Sequence, residues 1–459
     1  MKISDLSVSN SNYVPSSMHK GLSITKNGNI LNSNFNNNKF LNISQKNLNN
    51  KNMESDDNFS IFEEKNLNNE ENKVQNNKNI NLNHGNDEDK KNNNNNTNKE
   101  LEEKINKLVL KLKTQLNFNY TGKRTIGLKN TENKDCSYVN SLLQCLGGLP
   151  DLLLYLQKNI SYINNPAKLP FTFCFFREIE KLYINKSLEN STKHNASTFI
   201  TVIEHFYPFL IINRNPIDLF NILMHDLHIE LNKASLNSQK TIFPKDFEKK
   251  NLNEVIKKSK INFSDKNNSI ISQIFTYFFI KEIKCTKCNN TFYELQNFTS
   301  FDLDLINTYK TYKKNNLTIN DCLTYYISPS KINVICSLCN KSSKLVIKKN
   351  FYSLSNNLVF LINRNNQNDE QEIMKIKLNY EEYLDISYYI DSKFNDRKAE
   401  YILIGVVAFL FKENKFTAFC KNLFYNEWIC FDDELIEECN YSYMMNNSTP
   451  YILFYKLLE

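Results

Sequence analysis

The chain has 459 residues, a formal net charge of +7 and 41% hydrophobic residues, so it is long enough to bury a large core. Its positive balance is diffuse: lysines lie scattered among asparagines and acids, with no basic stripe interleaved with aromatics, and no direct nucleic-acid contact is expected. No run approaches the ~20 apolar residues of a membrane span, and no apolar leader opens the sequence, so no membrane partner is expected either.

Asparagine and lysine crowd about the first hundred residues, as in Asn92 to Asn96. Such a composition cannot bury enough apolar surface to offset chain entropy, and residues 1–99 read as a disordered low-complexity tail. Residues 100–120 read as an amphipathic helix or linker, with Leu101, Ile105, Leu108, Val109, Leu112 and Leu116 at helical spacing. It packs on its own domain or on a partner. Gly127 to Pro150 then reads as a loop leading into a short buried helix. Ser137 or Asp135 is its candidate cap, and Leu142, Leu143, Cys145 and Leu146 form its apolar face. A cysteine or serine at a helix start is chemically pointed, because free N–H groups and partial positive charge there stabilise a thiolate or an oxyanion.

Helical periodicity continues over Asp151 to Gln157, Phe171 to Tyr183, Ala196 to Phe206 and Asn215 to Asn232. Residues 233–268 turn polar and lysine-rich, as an insertion or mobile loop. From Ile270 the pattern changes to strands: Ser272 to Lys284, Phe298 to Leu305, Lys344 to Phe351, Asn357 to Asn363, Tyr401 to Phe411, Phe416 to Asn422 and Tyr451 to Tyr455. Helices first and strands second make an α+β fold.

All eleven cysteines lie at or after Cys136. In a cytoplasmic or nuclear protein with reduced thiols, the expected setting here, paired cysteines point to metal and not to disulfides. Cys285-Thr-Lys-Cys288 and Cys336-Ser-Leu-Cys339 form two such pairs beside strands. Four thiolates at this spacing suit tetrahedral zinc, with no position left open for water, so the predicted site is structural. WICFDD, Trp428 to Asp433, holds the only tryptophan and two adjacent acids. The six histidines are His19, His84, His194, His205, His225 and His228, so none lies in the C-terminal half. His225 and His228 read as core-edge or surface residues of their helix.

In their shared order these landmarks resemble the ubiquitin-specific proteases (USPs), papain-like deubiquitinases with thumb, palm and zinc-ribbon fingers. The resemblance spans roughly Gly122 to Leu458. It includes GLKN at 127–130, YVNSLLQCL at 138–146, the helix from Asn215 to His228, FYELQNFTSFDLDL at 292–305, LTINDCLTYY at 317–326, LVFLINR at 358–364, YILIGVVAF, KFTAFCKN, WICFDD and YILFYKL. It implies a USP-like domain over 121–459, with fingers at about 270–350 and the polar insertion at 233–268. It also implies zinc in the fingers, ubiquitin or a ubiquitin-like protein as partner, and ubiquitinated proteins or a protein complex as context.

The sequence departs from the family where the chemistry should be. Between GLKN and YVNS it carries TENKDCS, two residues more than the family's LGNTC. Counted back from the helix, Ser137 takes the nucleophile position and Cys136 precedes it; a gap placed differently promotes Cys136. Lys415 stands at the base position and Phe409 at an upstream histidine position. Asp432, with Asp433 beside it, matches the orienting acid, and Asn130 matches the oxyanion-hole region. A thiol of pKa ~8.5 needs a base or a positive neighbour to act at neutral pH. Lysine serves as that base only if its pKa falls by ~3 units, and a nearby Asp432 pushes the other way.

The expected protein is therefore a pseudo-deubiquitinase, a ubiquitin-binding or scaffold member resembling the inactive USPs. One alternative is an active thiol isopeptidase using Cys136. Another is a zinc-stabilised interaction module that does not bind ubiquitin. Asp218 occupies a family glutamate position that faces the basic ubiquitin tail, and Asn215 replaces a neighbouring acid, which lowers the expected affinity.

Overall fold

A computed structural model describes residues 87–131, 134–183, 193–234, 252–336, 339–364, 376–390 and 398–458. Of the tail expected to be disordered over residues 1–99, residues 1–86 lie outside the described residues, and the remainder, 87–99, is helical. The helix expected from residue 100 runs over Asp87–Gln115 and includes the asparagine run. Leu108, Leu112 and Leu116 are buried against the domain that follows.

The helical half comprises Ser137–Gly147, Pro150–Ile163, Pro170–Lys181, Ser197–Phe206, Pro208–Asn213 and Pro216–Leu231. Four of these six begin with proline, which supplies a preset φ where the missing N–H costs nothing. Within the polar stretch 233–268, Leu252–Lys266 is helical. Among the described residues no single helix is long and apolar enough to cross a membrane.

The strands are, in chain order, β1 Gly127–Lys129, β2 Lys193–Asn195, β3 Tyr277–Cys285, β4 Thr291–Phe298, β5 Phe301–Asp302, β6 Asn316–Thr318, β7 Ser330–Ile335 and β8 Ser342–Ser353. They continue with β9 Asn357–Leu361, β10 Lys377–Asn379, β11 Tyr383–Asp385, β12 Glu400–Leu410, β13 Lys415–Asn422, β14 Glu427–Asp432, β15 Leu435–Cys439 and β16 Thr449–Leu457. The main sheet runs β15-β14-β13-β12-β16-β9-β5, with β11 added beside β12. A second, antiparallel sheet runs β4-β3-β8-β7.

Side chains of the main sheet alternate between two cores. On β16, Ile452 and Phe454 join the helices, while Leu453 and Tyr455 face the core on the other side. Burial of both faces explains why Tyr401 to Phe411 reads as an unbroken apolar run.

Two expected strands are corrected. The segment from Ser272 opens as a helix, Ile270–Phe275, and the strand starts only at Tyr277. Ser269 and Ser272 form a reciprocal capping box, which overrides the strand preference of the isoleucines. Phe298 to Leu305 is not one strand: β4 ends at Phe298, β5 is two residues long, and Asp304 caps a helix over Leu305–Tyr312.

Candidate functional site

The site is built where the Ser137–Gly147 helix lies against β13. Every residue of that helix is buried, not one face alone. Its three leucines, Leu142, Leu143 and Leu146, contribute about 1.5–3 kcal/mol each through burial. Cys136 holds the cap position and makes no side-chain cap bond. Asp135 contributes from outside, its Oδ1 accepting the Ser137 N–H at 3.0 Å.

The two nucleophile candidates face different ways. Cys136 Sγ lies 3.1 Å from Thr131 Oγ1, toward the preceding loop. Ser137 Oγ accepts the Phe416 N–H at 3.1 Å, so it faces the start of β13, next to Lys415. Lys415 Nζ in turn lies 2.6 Å from Asp432 Oδ1, and Thr417 Oγ1 donates to the same oxygen at 3.2 Å. Partial burial lowers the Lys415 pKa, but the hydrogen bond and charge of Asp432, with Asp433 and Glu413 behind, outweigh it and leave the pKa raised. A lysine held this way stays protonated and cannot take a proton from Ser137.

The side-chain amides around the start of this helix are also engaged. Asn130 Oδ1 accepts the Cys136 N–H at 2.9 Å. Asp433 then takes the amide N–H groups of Asn130, at 2.9 Å through Oδ2, and of Asn140, at 2.9 Å through Oδ1. Burial raises the Asp433 pKa, against the pull of Asn140 and Lys415. Asp432 ends β14, while Asp433 sits on the turn with φ 52°, so the adjacent acids point to different partners. The upstream position, Phe409, joins Phe416 and Phe411 at 5.1 and 5.3 Å, with Tyr451 at 5.0 Å from Phe416. Asp135, Thr131, Asn140 and Thr417 are site residues that the sequence reading did not assign to chemistry.

Gly127 makes this arrangement possible. A Cβ there would fall 2.5 Å from the Glu434 carbonyl oxygen and 2.7 Å from its Cα. Its absence lets β1 approach the turn, where the Leu128 N–H donates to Asp433 O at 2.9 Å. Because the clash would be with backbone, Gly127→Ala should cost about 3 kcal/mol or more, measured by denaturant unfolding. A change below about 1 kcal/mol would show that β1 yields easily.

Histidine takes no part in these contacts. His194, on β2, places Nε2 2.5 Å from the buried carboxylate of Glu178. His228 is buried with Nδ1 2.7 Å from Ser269 Oγ, and burial lowers its pKa. On the Pro216–Leu231 helix, Asn215 is the cap, and burial raises the pKa of Asp218.

The four cysteines of the two CxxC pairs converge, their Sγ atoms all within 4.8 Å of one another. Cys285 ends β3 and Cys336 follows β7, and β8 pairs with both strands. The knuckles repeat one geometry. Asn289 N–H returns to Cys285 O at 3.0 Å and Asn340 N–H to Cys336 O at 2.8 Å. Both asparagines take left-handed φ, 55° and 51°. Zinc–sulfur bonds of about 2.3 Å require sulfurs about 3.8 Å apart, and Cys288 and Cys336 are 3.9 Å apart. The donor set fits a tetrahedral structural zinc.

The profile of the ubiquitin carboxyl-terminal hydrolase family matches residues 126–455. The chain belongs to this family. Its fold is that of the solved SAGA DUB modules of Ubp8, Sgf11, Sus1 and Sgf73. The module bound to monoubiquitin is 18% identical with a TM-score of 0.55, over 74% of this chain and 70% of that one. The module bound to ubiquitin aldehyde is 17% identical with a TM-score of 0.54, over 72% and 69%. A yeast SAGA DUB module is 18% identical with a TM-score of 0.52, over 72% and 68%. In this hydrolase family setting the helical half, the main sheet and the cysteine-bearing sheet are the three parts of the USP fold.

Proposed function

We propose that this family member binds ubiquitin, or a ubiquitin-like surface, as a reader or scaffold in the cytoplasm or nucleus without cleaving it efficiently. One observation carries the reading: the Lys415–Asp432 pair of 2.6 Å stands where a base is needed. Two further features support it. Ser137, and not Cys136, contacts the strand that bears Lys415. The amides of Asn130 and Asn140 are spent on Asp433. Ubiquitin is the ligand of choice because solved relatives of this fold are bound to monoubiquitin and to ubiquitin aldehyde.

The test is labelling of the full chain by a ubiquitin with a thiol-reactive C-terminal electrophile, beside a Cys136→Ala variant and a titration with plain ubiquitin. The expected result is saturable binding without adduct. An adduct lost in the Cys136→Ala variant would make Cys136 a working nucleophile and overturn the proposal. Absence of both adduct and binding would overturn the ubiquitin part and leave a zinc-stabilised interaction module.

A further inference from the structure

Cys145 and Cys420 meet where the Ser137–Gly147 helix packs on β13, in the layer beneath Ser137. Their sulfurs are 3.9 Å apart, in S–H···S contact, and each residue is about 1% exposed. Cys420 pairs across the sheet with Gly405. That glycine leaves the strand face open to Cys145: a Cβ on it would already lie 3.5 Å from the Cys145 Cβ and Sγ.

Beside the pair is a buried cation. Arg124 stacks over the Phe431 ring at 4.8 Å and donates to the backbone carbonyl and the Oε1 of Gln144. Among the groups that raise its pKa, against the effect of burial, are Cys420, Tyr183 and Cys145. A buried guanidinium gains most from an anionic neighbour, and here the nearest candidates are thiols. Burial raises the Cys420 pKa, but hydrogen bonding from Cys145 and the Arg124 charge more than offset it, so Cys420 is the thiol that ionises first. A cavity of about 30 Å³, whose lining includes Arg124, Tyr183 and Cys420, lies beside the pair and has room for a water-sized molecule.

We propose that Cys420 and Cys145 form a peroxide-reactive thiol pair whose disulfide ties the Ser137–Gly147 helix to β13. The Cys420 thiolate attacks one oxygen of hydrogen peroxide. A sulfur–oxygen bond forms, the oxygen–oxygen bond breaks, and hydroxide leaves as water after taking a proton. Cys145 sulfur then attacks the sulfenic acid at Cys420. The sulfur–sulfur bond forms, and the hydroxyl leaves with the Cys145 proton as a second water. Two thiols lose two electrons in all, and peroxide is reduced. Closing the pair to about 2.05 Å requires the sulfurs to approach by about 1.9 Å from their 3.9 Å separation. This chemistry is independent of any at Ser137.

The test exposes the full zinc-loaded chain to hydrogen peroxide, then quenches, unfolds, alkylates and maps every cysteine by mass spectrometry. Cys430, buried in the same sheet with its pKa pushed up by burial, is the internal control. The expected product is a Cys145–Cys420 disulfide, reversed by dithiothreitol, forming at least about tenfold faster than Cys430 oxidises. A Cys145→Ala variant should leave a sulfenic acid on Cys420 that dimedone captures, with circular dichroism unchanged. Oxidation of the pair no faster than Cys430, or dimedone capture at Cys145 in a Cys420→Ala variant, would overturn the proposal.

Discussion

A Ser137→Cys, Lys415→His double variant should react with a thiol-directed ubiquitin electrophile at least about 100-fold faster than the unaltered chain. The geometry for the reaction is otherwise in place. Ser137 Oγ already contacts the strand that begins at Lys415, through the Phe416 N–H. Asp432 already lies 2.6 Å from the side chain at 415 and is held by Thr417, so an imidazole there would find its orienting carboxylate. The single variants should separate the two deficits. Lys415→His alone supplies a base but no thiol and should match the unaltered chain. Ser137→Cys alone supplies a thiol beside an ammonium ion and should fall between. Hydrolysis of a ubiquitin amide should remain slow even in the double variant, because Asp433 still occupies the amides of Asn130 and Asn140. A missing oxyanion donor costs about 10²–10³ in rate. A double variant no more reactive than its parent would mean that residue 137 does not face a ubiquitin C-terminus.

Removal of zinc should unfold β7 and the cysteine-bearing ends of β3, β4 and β8 while the helical half stays folded. Purified protein should carry one zinc per chain, and Cys336→Ser or chelation should lower the thermal midpoint by about 6 °C, as a loss near 4 kcal/mol implies in a domain of this size. The cysteine-bearing end of the sheet has little else to hold it: all six residues of β7 are exposed and β4 is only partly buried along its length, whereas Tyr277, Phe279 and Phe351 anchor the other end of β3 and β8 in the second core. Hydrogen exchange gives the decisive readout: protection should vanish from β7 and the cysteine-bearing ends of β3, β4 and β8 and persist around Tyr277 and Phe351, in Ser137–Gly147 and in Pro216–Leu231. Absence of metal, or protection that ignores its removal, would make the cluster four reduced thiols.

Much of this was legible in the sequence where burial leaves a periodic or continuous trace. The runs at Asn357 to Asn363, Tyr401 to Phe411 and Tyr451 to Tyr455 mark β9, β12 and β16, because both faces of the sheet are covered. The two knuckles were readable from spacing alone. Ile270–Phe275 misled because isoleucine and phenylalanine suit strands, while the deciding interaction is a serine pair at its start. Ile319–Ile327 carried the same kind of signal, Thr318 and Asp321 in a capping box, without the long apolar period that draws attention. Within the site, the Lys415–Asp432 pair follows from neighbouring strands β13 and β14, whose register places Asp432 diagonal to Lys415. The role of Asp433 does not, since its bonds to Asn140 and Asn130 join residues 293 and 303 positions apart. The Asp135 contact with the Ser137 N–H is local, but only the backbone angle at Cys136 decides which residue becomes the cap.

The place of β16 in the main sheet sets a timetable for the chain's birth. The strand that ends at Leu457 lies between β12 and β9, so the sheet cannot be completed until that segment is made. The helices from Ser137–Gly147 to Pro216–Leu231 are finished by Leu231. At about 5–20 residues per second, they wait on the order of 10–45 s for their partner layer. Until β12 and β13 are made, the leucines of the Ser137–Gly147 helix lack the strands that cover them. Nascent chains of this protein should therefore lean on chaperones, and a ribosome stalled before residue 449 should display a sticky, half-built domain.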